Sequence, residues 1–148
     1  MSTTVQEQLE QSVGALMTLS DSELELELGR RLTQSVEEAT LRPTGGASVD
    51  RATLQDLPPF VRTVAQRFLD RFNRQMYSLI CDQNDPDNAK LRFAASEGIE
   101  KLGYVLSGAL VVTFGWMPGI ASVIAVIIVK RIAKSGYGAF CETWKEKL

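Results

Sequence analysis

Apolar residues recur at helical spacing along most of the chain. Val5, Leu9, Val13 and Leu16 fall on one face of a 3.6-residue period, and Thr4-Val5-Gln6-Glu7 before them has the form of a capping box. A first amphipathic helix is therefore expected. Ser20-Asp21-Ser22-Glu23 is a second capping box, and Leu19 and Leu24 stand where a hydrophobic staple would pair them. The following ELELEL alternates like a strand, but Leu24, Leu28, Leu32 and Val36 carry the helical period well past it. A second helix fading near Thr40 is predicted.

Residues 42–50, RPTGGASVD, combine proline, paired glycines and small polar residues, which favour turns over regular structure. Asp50 is placed to cap a short helical turn. Leu57-Pro58-Pro59 after Asp56 marks the first turn of a third helix, where proline is tolerated. That helix is expected to run to about Cys81, with a wide apolar face including Val61, Val64, Ala65, Phe68, Leu69, Phe72, Met76, Leu79 and Ile80. DQNDPDN at 82–88 reads as a loop, with Asp85 as cap and Pro86 at the first position of a fourth helix. A calcium loop starting at Asp82 would need glycine and glutamate where Asp87 and Phe93 stand, so capping explains the acids.

The fourth helix is expected to flow through Ala94, Ala95, Ile99 and Leu102 into GYVLSGALVVTFGWMPGIASVIAVIIV, residues 103–129, which contain no charge. Gly115-Trp116-Met117-Pro118-Gly119 interrupts this run. Proline removes a backbone donor and disfavours helix in the residue before it, so a turn is predicted there. The two arms, Leu102–Phe114 and Pro118–Val129, are each about 20 Å as helix, short of a bilayer core of roughly 30 Å. Gly103, Ser107, Gly108 and Ala109 on one arm and Ala121, Ser122 and Ala125 on the other suit close helix packing, in lipid or in a protein core. Trp116 is expected at the tip of the hairpin. Gly136 and Gly138 are expected to break the helix before a last short one carrying Phe140 and Trp144 on one side.

Net charge is −2, unevenly placed: residues 1–57 hold ten acids and four bases, and residues 58–148 eight acids and twelve bases. An acidic N-terminal part could cover the basic remainder or attract a basic partner. Histidine is absent. There is thus no imidazole for acid–base work, for a nucleophile pair or for a typical zinc site. Gly45-Gly46 lacks the lysine and hydroxyl residue of a phosphate loop. Arg67, Arg71 and Arg74 form a basic stripe beside Asp70 that reads as a solvated helix face. Cys81 and Cys141 are too few and too far apart for a disulfide framework, and small apolar thiols are expected. The polar N-terminus MSTTVQEQLEQ lacks the features of a secretory signal, which points to the cytoplasm, with membrane association left open.

The expected architecture is all-α, a helical bundle of about five helices with a central apolar helical hairpin. Residues 1–41 would form an amphipathic helical hairpin and 42–50 a linker. Residues 51–148 would form a helical core with the apolar hairpin at 102–133. An uncharged hairpin wrapped in amphipathic helices is similar in plan to colicin-type pore-forming domains, which are larger. That likeness covers the C-terminal part and implies a hairpin able to enter a bilayer.

The first functional expectation is therefore a non-enzymatic membrane-interacting protein, a permeabilising effector or toxin. Its membrane-contacting residues would be Tyr104, Leu106, Leu110, Val112, Phe114, Trp116, Met117, Ile120, Val123, Ile124, Ile127 and Ile128, with Lys130, Arg131 and Lys134 as the basic flank. The alternative is a soluble all-α interaction module (an adaptor, inhibitor or assembly factor) with the hairpin as its buried core. No catalytic residue, cofactor or metal is expected. The partner is a lipid bilayer or a protein, not nucleic acid, with homo-oligomerisation left open.

Overall fold

Eight α-helices and no strand make up the described residues, 3–38 and 60–147, of a computed structural model of the chain. They are α1 (Thr3–Leu16), α2 (Asp21–Glu38), α3 (Phe60–Arg71), α4 (Asn73–Cys81), α5 (Asn88–Glu97), α6 (Ile99–Phe114), α7 (Pro118–Ser135) and α8 (Tyr137–Glu146). The all-α expectation holds, and the count of about five is corrected upward. The side chain of Val5, the side chain of Val36, the linker 42–50, Asp50, Asp56 and the Pro58-Pro59 pair lie outside the described residues.

The α1–α2 corner follows its sequence. Ser20 N donates to Glu23 Oε1 at 2.9 Å and Glu23 N donates to Ser20 Oγ at 3.2 Å, the reciprocal pair of a capping box. Leu19 and Leu24 are both buried beside it. Leu24 and Leu28 continue the buried face, and Leu32 is half-buried.

The two long helices expected in the middle of the chain are each divided. The third breaks at Phe72, which leaves helical geometry (φ −101°, ψ 11°) between α3 and α4. The Phe72 ring meets Phe68 at 4.9 Å, Trp116 at 5.1 Å and Phe114 at 6.3 Å, so the kink sits where aromatic packing turns the chain. The fourth breaks at Gly98, whose φ of 130° is closed to ordinary L-residues. Asp85 and Pro86 do not open α5, which starts at Asn88. Asp82 and Asp85 instead accept from the backbone N–H two residues on, Asn84 and Asp87, each at 2.9 Å, and hold the loop as two successive turns.

α7 is the centre of the fold. Every residue from Gly119 to Val129 is buried, and α1, α2, α6 and α8 pack around it. The expected central apolar hairpin is corrected to one central helix. α6 packs along α7 but leaves Val112 76% exposed and Thr113 exposed. The turn between them is Gly115–Met117, tighter than expected. Gly115 adopts a left-handed cap (φ 69°) and its N–H reaches Val111 O at 2.9 Å, while Pro118 is already in the first turn of α7.

The small residues do different work from that expected. A Cβ on Gly103 would come 3.0 Å from the Val13 side chain, so this glycine makes room for α1. Ser122 and Ser12 share a hydrogen bond of 2.8 Å, again between α7 and α1. Gly108 faces open space. The closest glycine contact is elsewhere, at Gly29, where an added Cβ would lie 2.0 Å from Val61 O and hold α2 off α3.

Candidate functional site

Of the residues proposed to meet lipid, Leu106, Leu110, Ile120, Val123, Ile124, Ile127 and Ile128 are buried. Tyr104, Phe114, Trp116 and Met117 are half-buried, and Val112 is exposed. Trp116 is not a free tip: its ring lies 4.9 Å from Phe114 and 5.2 Å from Phe68. No described helix is long and apolar enough to cross a membrane, so a transmembrane hairpin finds no support among the described residues.

The basic flank is engaged inside the fold. Lys130 Nζ donates to the Leu19 carbonyl at the end of the α1–α2 corner. Arg131 lies 3.7 Å from Glu25, which also accepts from Arg62 Nε at 2.9 Å. Lys134 Nζ donates to Asp21 Oδ2 at 2.9 Å. That hydrogen bond, opposed by burial and aided by the charges of Lys134, Arg131 and Lys130, holds the Asp21 carboxyl below its usual value. Three bases that read as a membrane boundary thus tie α7 to the start of α2.

Sequence reading missed the charged group at the other end of α7. Glu27 is fully buried and Arg31 is 3% exposed. Arg31 Nε donates to Glu27 Oε2, and Arg31 Nη1 donates to Gly119 O at 2.7 Å. Arg30 closes on the same carboxylate at 2.6 Å. Burial pushes the Arg31 guanidinium down from its usual value, and the Glu27 carboxylate opposes that shift. The only trace of this pair in the sequence is the i, i+4 spacing of Glu27 and Arg31, which is common on solvated helices.

The cysteines are paired, against expectation: Cys81 at the end of α4 is bonded to Cys141 in α8, with Cα atoms 5.6 Å apart. Sixty residues separate them, and closing a loop of that length stabilises by about 4 kcal/mol in the chain-entropy account. Tyr137 OH donates to Ile80 O at 2.5 Å and Trp144 Nε1 to Asn73 Oδ1 at 2.6 Å. The Tyr77 and Trp144 rings meet edge-on at 5.6 Å. Asn88 Nδ2 caps the same end of α4 through Ile80 O at 2.6 Å. α8 is therefore fastened to α4 along its length.

That fastening shapes a groove of about 540 Å³ between α3 and α4 on one side and α7 and α8 on the other. Leu69, Met76, Ile127, Ile128, Phe140 and Trp144 supply its apolar lining. Glu25, Gln66, Arg131, Lys134, Ser135 and Thr143 add polar lining, and Asp70, Asn73 and Lys147 are shared with an adjoining polar pocket. No group of acidic, cysteine or histidine side chains suited to a metal occurs among the described residues. The groove joins residues from 25 to 147, so no local pattern could have announced it. No family model, curated protein or solved structure matches the chain, and the groove and the enclosed helix are the grounds for a functional reading.

Proposed function

We propose that this chain is a non-enzymatic protein-interaction module whose buried core is the uncharged part of α7, Gly119–Val129. The supporting observation is the enclosure of Gly119–Val129, with the polar atoms near it satisfied internally by Ser12, Glu27 and Arg31. A helix apolar all round is what the centre of a bundle requires. Delivering α7 to lipid would open four helix contacts and expose the Glu27–Arg31 pair. Incubating the intact protein with neutral and anionic liposomes tests this: the protein stays in buffer and entrapped dye is retained. Co-sedimentation with dye release would sink the reading.

A second reading, a permeabilising protein that opens on contact with a bilayer, draws support from exposed Val112 and half-buried Trp116 at the α6–α7 turn. An indole suits a membrane interface. A blue shift of Trp116 emission with liposomes in a Trp144→Phe background would favour it.

The Cys81–Cys141 bridge supports work in an oxidising compartment over the cytoplasm, because thiol pools keep cytosolic cysteines reduced. Alkylation of the protein in its native compartment tests that: labelling of both thiols before reduction would return it to the cytoplasm.

A further inference from the structure

We infer that the α3/α4–α7/α8 groove binds an amphipathic helix of a partner protein, one with acidic residues at the end that meets Arg71, Arg74 and Lys147. This rests on the interaction-module reading and names the partner's chemistry.

The charge distribution selects the occupant. Two of the bases lining the groove are already neutralised, Arg131 by Glu25 and Lys134 by Asp21. Where Asp70, Asn73 and Lys147 line it, the groove adjoins a polar shelf that also includes Arg71, Arg74 and Gln75. Arg71 sits over the Phe72 ring at 5.7 Å, and Arg74 and Lys147 form no ion pair among the described residues. Three bases against one acid leave this shelf cationic beside an apolar trough. A ligand that buries apolar side chains in the trough and sets carboxylates on the shelf answers both features.

The form of the ligand follows from what the groove lacks. Its walls are helices whose backbone groups are used internally, so no strand can be added along an edge. The wall is preformed, since the disulfide and the Tyr137 and Trp144 hydrogen bonds hold α8 in place, which lowers the ordering cost of binding. Ile127 to Ser135 on α7 covers roughly 12 Å, room for about two turns of a helix. Trp144 and Phe140 are the aromatic anchors for its apolar side chains.

The test uses the oxidised full chain and a labelled helical peptide of about fifteen residues, with leucines at i, i+4 and i+7 spacing and glutamates at one end. Control peptides carry lysine for glutamate or alanine for leucine. Fluorescence anisotropy should show binding of the acidic peptide and loss with either control. The Arg74→Glu/Lys147→Glu protein should bind about tenfold more weakly, with the difference shrinking in high salt. Thr143→Arg, an exposed groove position, should block binding while circular dichroism stays unchanged.

Equal binding of the lysine peptide, unchanged affinity in both variants, or no binding by any peptide overturns the inference. If the protein also ignores liposomes, the interaction-module reading survives that failure, whereas dye release defeats the reading itself. A dimer seen by analytical ultracentrifugation and dispersed by Thr143→Arg would assign the groove to a second copy and overturn the acidic-helix partner.

Discussion

α6 and α7 take most of their length from one uncharged run of sequence, residues 103–129, yet the fold treats them oppositely. α7 is buried on every side from Gly119 to Val129, whereas α6 shows Val112, Thr113 and the open side of Gly108 to its surroundings. Their composition does not explain this. α7 is surrounded by α1, α2, α6 and α8, while α6 is covered by α1, α5 and α7 along part of its circumference. An apolar segment is central when enough amphipathic neighbours close around it, and its own hydrophobicity states only that it can be.

The widest separation between the two helices comes from placing a charge in each. Ala125→Arg buries an unpaired guanidinium among packed side chains and should cost about 5 kcal/mol or more, enough to unfold a domain of ordinary stability. Val112→Arg should shift stability by no more than about 0.5 kcal/mol, because the site already faces outward. Urea titration measures both, and similar midpoints would erase the distinction between the helices.

Removing the charged group that seals the start of α7 ranks next. Glu27→Ala leaves Arg31 buried with Gly119 O as its remaining partner among the described residues and should cost about 3–5 kcal/mol. A change under about 1 kcal/mol would mean that Arg31 reaches water without its carboxylate.

A smaller effect marks the side of α7 where α8 forms the groove wall. Burial pushes the Tyr137 phenol from 10.0 up to about 12, with Arg92 opposing. Its folded value is raised, so its contribution is complete below pH 10 and is lost as pH climbs through about 12. Tyr137→Phe should cost about 1 kcal/mol at neutral pH through the lost bond to Ile80 O and should flatten this alkaline decline. Thermal melts between pH 8 and 12 follow it, and an unchanged slope in the variant would assign the decline to another group.

The smallest effect separates the two faces of α6 itself. Gly108→Ala gains helix propensity in open space and should stabilise by about 0.5–1 kcal/mol. Gly103→Ala earns the same propensity, but its new methyl presses on Val13 at 3.0 Å, so its gain should be smaller or reversed. Equal gains would show that α1 yields at that contact.

Local signals in the sequence were enough for the α1–α2 corner, a turn opening at Gly115 and the all-α class. Each is written within a few residues: Ser20 with Glu23, Gly115 with Pro118, Leu24 with Leu28. Breaks that depend on distant partners were not legible. Phe72 kinks where Phe68, Phe114 and Trp116 meet it, and a continuous apolar face carries no mark of that meeting. The same holds for the pairing of Cys81 with Cys141 and of Ser12 with Ser122, separated by 60 and 110 residues. Helix formation and capping are set by neighbours along the chain, so the sequence by itself determined which segments coil and several of their ends. Tertiary structure decided which uncharged arm lies at the centre and that Lys130, Arg131 and Lys134 bind the α1–α2 corner. It also decided that side chains from 25 to 147 share one groove, because burial, charge pairing and cavity shape arise only when distant segments occupy the same space.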